Sequence, residues 1–167
     1  MLALLVMAGA TLSACSPTPE PSPTPTAAFA SEEEAFAAAE EVYRAYLAAA
    51  ASRADGDEAA DPEQYLAGEA LEADIQSQRN LEEQGIRIAG ASSIQAFTGL
   101  HADLTASVLT LQADICVDIS ESRVLDQNGS DITPAERPEI GEITVEFSGT
   151  ANQLLISRSS PSESAKC

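Results

Sequence analysis

The sequence predicts an α+β fold, with helices first and an antiparallel meander after them. Three observations carry this reading. From Phe36 to Ala50 apolar residues recur at three- and four-residue spacing, the period of a helix with one buried stripe. After Gly85 the period falls to two, most clearly between Ala106 and Ser120. Turn-forming residues then separate further alternating stretches, with no helical pattern between them. Helices segregated from strands along the chain define the α+β class.

The elements follow in order. Ser31-Glu32-Glu33-Glu34 is a capping box: Ser31 is placed to cap and Glu34 to reach back. Acidic residues also suit the positive end of the helix dipole. The helix predicted from there spans Glu32–Arg53, with Phe36, Ala39, Tyr43, Tyr46, Leu47 and Ala50 on its apolar stripe. The polar stretch Asp55 to Ala60 ends it. Asp61-Pro62-Glu63 opens a short helix with Asp as cap and Pro in the first turn. Tyr65 and Leu66 are predicted to face inward and Gly68 to close that helix. A third helix is expected from Glu69 to Gln84, with Leu71, Ile75 and Leu81 as apolar positions and Gly85 as its stop. Ile86 and Ile88 begin a broken strand running through Ile94 and Phe97. In the strand Ala106–Ser120, Leu109, Leu111, Ala113, Ile115, Val117 and Ile119 share one face. Thr110, Gln112, Asp114, Cys116, Asp118 and Ser120 share the other. One face buried and one wet is the pattern of an antiparallel sheet covered on one side. Asp126-Gln127-Asn128-Gly129 has turn chemistry. Ile143, Val145 and Phe147 alternate next, Gly149–Asn152 turns the chain, and Leu154 and Ile156 alternate in the last strand. Residues 31–167 suffice for one domain, without an internal repeat.

The chain carries 27 acidic against 8 basic residues, every one of them after Cys15. Phosphate backbones are repelled by such a surface, so nucleic acid is not an expected partner. No polybasic stretch is present to assist membrane attachment. A solvated, soluble surface accounts for most such acidity.

The N-terminal region reads differently. Leu2 to Ala10 is an apolar run, followed by Leu12-Ser13-Ala14-Cys15 and then by a Pro/Ser/Thr tract. Roughly 20 apolar residues are needed to span a bilayer, and Thr11 and Ser13 interrupt the run well short of that. A short apolar region followed by small residues is a cleavable export signal. No Lys or Arg precedes Leu12, so the true start is expected to lie upstream of Met1. A buried N-terminal segment and a non-lipidated secretory cleavage are the alternatives. Residues 1–14 are thus read as a signal peptide and 15–30 as a Cys followed by a linker. The alternating Pro of Ser16–Thr26 favours extended polyproline II and forbids a helix. At about 3.1 Å per residue the spacer reaches roughly 30 Å.

Beyond Cys15, which stands at the end of the signal region, Cys116 and Cys167 remain as an even pair in an exported protein. Oxidising compartments favour their pairing over two free thiols. Two Cys and one His, none at zinc-ligand spacing, do not predict a metal site, and no motif implies a cofactor.

Leu12-Ser13-Ala14-Cys15 resembles the lipobox of bacterial lipoprotein precursors. That resemblance implies that Cys15 becomes the mature N-terminus and carries a fatty-acylated glyceryl group on its sulfur, palmitate being a typical acyl chain. Two buried acyl chains hold a protein stably at a membrane where one does so marginally. The implied location is the extracytoplasmic face of the cell membrane. The helix Glu32–Arg53, the later helices and the meander resemble a nuclear-transport-factor-2-like domain, whose antiparallel sheet curves into a cone. The lipobox Cys15, that first helix, the segment Ala113-Asp114-Ile115-Cys116-Val117-Asp118-Ile119-Ser120 and the C-terminal Cys167 together resemble small lipoproteins of high-GC Gram-positive bacteria. In that group the Cys followed by Val-Asp pairs with the C-terminal Cys. Such domains often carry a Trp in the last strand; here Gln153-Leu154-Leu155-Ile156 stands there and the chain has no Trp.

Some relatives in that fold are isomerases, cyclases or dehydratases with an acid or His in the cone as general base. The candidates here are His101, Asp103, Asp114 and Asp118. Asp114 and Asp118 lie on the polar face of their strand, so they are expected to meet solvent, and a base with a raised pKa needs an apolar pocket. His101 follows Gly99-Leu100 and is read as a surface residue in a turn. Tyr43, Tyr46 and Tyr65 are expected to pack with their hydroxyls at an edge. Asp126–Asp131 fails as a calcium loop, because Asp131 and Arg137 stand where the sixth-position Gly and twelfth-position Glu belong. The expected function is therefore a membrane-anchored, non-catalytic binding or interaction module for a small apolar ligand or a partner protein. The alternative is a cone-pocket enzyme. A homodimer through the open sheet face is compatible with either.

Overall fold

A computed structural model of the chain describes residues 29–163 and Cys167. The signal segment, Cys15 and the linker lie outside the described residues. The elements are α1 (Glu32–Ala54), a 3₁₀ turn (Pro62–Tyr65), α2 (Gly68–Gln84) and six strands. The strands are β1 (Arg87–Ala89), β2 (Ser93–Asp103), β3 (Leu109–Asp118), β4 (Arg123–Leu125), β5 (Ile140–Thr150) and β6 (Gln153–Pro161). Two helices packed on antiparallel sheets place the chain in the α+β class.

Helix α1 starts where the capping residues put it. Ser31 Oγ accepts from the Glu34 N–H at 3.2 Å, and Glu34 reaches back to the Ala30 N–H at 2.8 Å. Its buried stripe is Ala35, Ala39 and Tyr43, with Phe36, Tyr46 and Leu47 packed beside it. Alanines let the helix axis approach the sheet closely. At Gly99 on β2 an added Cβ would lie 2.6 Å from the Phe36 ring. A glycine within a strand commonly marks such a contact.

Gly68 does not close the short helix as the sequence pattern predicts; it opens α2. Leu66 leaves the 3₁₀ turn in an extended conformation and bridges Ile156 in parallel, and the Ala67 N–H donates to the Ile156 carbonyl at 2.8 Å. The chain must turn from that extended segment straight into a helix, and Gly68 does so at φ 53°. Gly85 stops α2 at φ 64°, as expected. An exposed fork from Arg158 to Glu69, at 2.6 and 2.7 Å, links α2 to β6 and contributes little in water.

The main sheet has the order β2-β3-β5-β6, antiparallel throughout, and β1 pairs with β4 in a separate ribbon. The stretch from Ile86 to Phe97 is therefore two strands in two sheets, not one broken strand. Gly90 separates them at φ 84°, and any side chain there would run into the Glu121 carbonyl. Strand β3 starts at Leu109 rather than Ala106. The Asp103 carboxylate accepts from the Thr105 N–H at 3.0 Å and its hydroxyl at 2.9 Å, a local turn that ends β2 and keeps the following residues off the ladder. In the β5–β6 hairpin Thr150 pairs with Gln153, so Ala151-Asn152 alone makes the turn and Gly149 belongs to the ladder. Asp126 shapes its turn by accepting from the Asn128 and Ser130 N–H groups, both at 2.8 Å.

The core lies between the helices and one face of this sheet. Leu109, Leu111, Ala113, Ile115 and Val117 of β3, Val145 and Phe147 of β5, and Leu154 and Ile156 of β6 are all buried there.

Candidate functional site

The helix-facing side of the sheet is filled by those aliphatic and aromatic side chains, several with no exposure at all. The ionisable candidates lie elsewhere. His101 sits in strand β2, opposite Gln112, and not in a turn; the register slip beside Gly99 carries the strand through that position. It is exposed. Asp103 and Asp118 are held below the usual carboxylate range, Asp103 by hydrogen bonds from Thr105 and Asp118 by hydrogen bonds from Ser120. Both therefore serve local turns as anions.

Asp114 departs from expectation. It is on the polar face of β3, yet only 7% exposed. Thr144 Oγ1 donates to its Oδ1 at 2.6 Å and Ser162 Oγ at 3.0 Å. The physical reason is two residues away: Cys116 is bonded to Cys167, with Cα atoms 5.8 Å apart, so the chain terminus lies on this face. The alternation pattern reports which face meets the helices. It cannot report that the other face is covered by the end of the chain.

A concavity lies against the C-terminal half of α1. A cleft of about 640 Å³ runs between the C-terminal halves of α1 and α2 and strand β1. Leu47 and Ala50 of α1, Leu81 of α2, and Ile86 and Ile88 form its apolar walls, and no strand of the main sheet lines it. At one end Arg53 and Asp74 form a two-pronged pair at 3.0 and 3.1 Å, with Glu63 at 3.9 Å from the same guanidinium. The hydrogen bond to Asp74 is the main cause that raises the Arg53 pKa further. Tyr46 stands beside the pair. Burial, and then the Asp74 charge, push its phenol up, with Arg53 opposing, so the hydroxyl stays a neutral donor. Tyr43 is buried behind it, rings 5.8 Å apart, and its phenol is raised by burial and by Tyr46. The Tyr46 hydroxyl and the Gln78 amide make no hydrogen bond to another described residue. Among the described residues no three His, Cys, Asp or Glu side chains converge on a metal position. The cleft has an apolar body and a few available polar groups, the composition of a small-ligand site.

Arg53 and Asp74 are 21 residues apart, and nothing in the periodicity marks them as partners. Asp74 is only 10% exposed in its side chain. Arg53→Ala leaves that carboxylate without its cation and is expected to cost about 2 kcal/mol, less than a fully buried pair because Arg53 is itself partly solvated. Arg53→Lys should recover only part, since an ammonium cannot make the two-pronged contact. Urea unfolding of the two variants checks this; equal stability of wild type and Arg53→Ala would refute the structural role.

No protein-family model matches the chain, and no curated protein matches it in sequence. Among solved structures it is similar to the intermembrane space region of the chloroplast protein ARC6. The TM-score is 0.51 at 10% sequence identity, covering 75% of this chain and 95% of that one. At that identity the likeness is one of fold alone: helices on antiparallel strands.

Proposed function

We propose that the protein is a lipoprotein displayed on the extracytoplasmic face of the cell membrane, and that its nuclear-transport-factor-2-like domain is a non-catalytic binding module. The observation that carries the first part is Leu12-Ser13-Ala14-Cys15, set between an apolar run and the Pro-rich spacer. The Cys116–Cys167 bond supports export, because such bonds persist in oxidising compartments. No helix among the described residues is long and apolar enough to cross a membrane. Helices followed by an antiparallel meander support the fold family. The apolar, filled interior favours binding over catalysis, because a general base in the cone would need an ionisable group facing it. The candidates His101, Asp114 and Asp118 lie on the other side of the sheet.

The test is mass spectrometry of the native protein from membranes. The expected first residue is Cys15 carrying acyl mass, and Cys15→Ser should lose that mass and leave the membrane fraction or stall as precursor. A different first residue, or Cys15 without acyl mass, overturns the anchor. A defined turnover product recovered with the purified domain overturns the non-catalytic reading.

A further inference from the structure

Three features locate and define a ligand. The first is the size of the α1–α2–β1 cleft: about 640 Å³ falls in the range of small-molecule sites. The second is an apolar track that continues its wall. Ile88 pairs with Val124, and the Ile132 N–H donates to the Val124 carbonyl, which sets Ile88, Val124 and Ile132 side by side on one face. Ile88 is 40% and Ile132 46% exposed, so this track meets water. The third is charge. Within the cleft Arg53 is matched by Asp74, while two exposed carboxylates, Asp55 and Glu82, and one further exposed cation, Arg87, also line it. None of those three forms an ion pair with a described residue. One negative charge is left over, in a chain whose net charge is −19. Low-dielectric walls concentrate such a field inside a cleft.

We infer that the cleft binds a small amphiphilic cation: an apolar chain laid along Leu47, Leu81, Ile86 and Ile88, with an ammonium head toward Glu82 and Asp55. An anionic amphiphile meets the opposite field and is rejected. The Tyr46 hydroxyl and Gln78 amide are free to fix a polar group near the head. This rests on the binding-module reading and gives it a site and a ligand class, but it does not depend on the acyl anchor.

The probes are decyltrimethylammonium, decyl maltoside and decanoate, one chain length with three head charges. They are titrated calorimetrically below their micelle concentrations against the mature chain carrying Cys15→Ser, so that no acyl chain competes. One decyltrimethylammonium per chain is expected, bound at least tenfold more tightly than decanoate, with decyl maltoside between them. Ala50→Trp fills the cleft and should weaken the cation at least tenfold. Glu82→Lys, on an exposed helix position, should weaken the cation about tenfold and leave decyl maltoside within twofold. It decides the matter if Ala50→Trp lowers the thermal midpoint. Saturable binding that survives both substitutions means that the acidic surface, not the cleft, takes the cation; the module reading then stands and the site does not. Equal affinity for decanoate refutes the ligand class. Absence of binding by all three probes overturns the inference and leaves the mass-spectrometric test at Cys15 untouched.

Discussion

Phe147→Ala is expected to lower the stability of the domain by about 3–5 kcal/mol, the range for emptying a fully buried aromatic position. Phe147 has no exposure and is the largest of the fully buried side chains. It lies in the middle of β5, opposite Leu111 on β3 and Ile156 on β6, and those three cross the sheet as one buried row. Its ring also meets Phe97 of β2, at 6.3 Å between centroids and 47° between planes. Such a tilted pair adds about 0.5–1.5 kcal/mol beyond the area it buries. The space left by alanine has little to refill it. Its neighbours on both sides are held in register by ladder hydrogen bonds, and the chain has four Phe and no Trp. Phe147→Leu keeps most of the volume and should cost less than half as much. Urea unfolding followed by circular dichroism gives both values. A loss below about 1 kcal/mol for Phe147→Ala would show that the sheet does not close on this row.

That row was readable in advance, because alternation is a direct consequence of the pleat. Leu111, Ala113 and Ile115, then Val145 and Phe147, then Leu154 and Ile156 are every second residue, and each set is buried as the period requires. In the last strand Leu154 and Ile156 fill the core, both buried. Ser31 and Gly85 bounded their helices because capping chemistry acts within four residues. What the sequence did not disclose depends on contacts between distant segments. Gly68 looked like a stop because its role is set by Leu66 bridging Ile156, ninety residues away in the chain. The β1–β4 ribbon joins two three-residue strands, too short for a period to register. The cleft is of the same kind. Its walls are ordinary helix and strand positions, and only the meeting of α1, α2 and β1 makes them a concavity. Asp114 lies on the polar face that the alternation predicts and is nonetheless shielded from solvent, since no local pattern announces that residue 167 returns to residue 116.

Removing the Cys116–Cys167 bond is expected to cost about 4 kcal/mol, a large share of the stability of a domain this size. The two residues are 51 apart in sequence, and the loop they close contains β4, β5 and β6. In the chain-entropy model a bond that closes so long a loop mainly restricts the unfolded chain. A native-state contribution adds to it. Cys116 is 5% exposed and Asp114 7%, on a sheet face that is otherwise polar, and Ser162 donates to Asp114 only while the last strand leads the terminus over that face. Cutting the bond frees the terminus and lets water reach both positions. The Cys116→Ser, Cys167→Ser double variant is the sound comparison, because a single substitution leaves a thiol able to pair elsewhere. With a urea dependence of about 2 kcal/mol per molar, the unfolding midpoint should fall by about 2 M. The same fall should follow reduction of the wild-type protein, and reductant should have no effect on the double variant. A shift below about 0.5 M would mean that the meander is held by its core alone. A domain that draws this much of its stability from one disulfide keeps it where thiols are oxidised and loses it where they are held reduced.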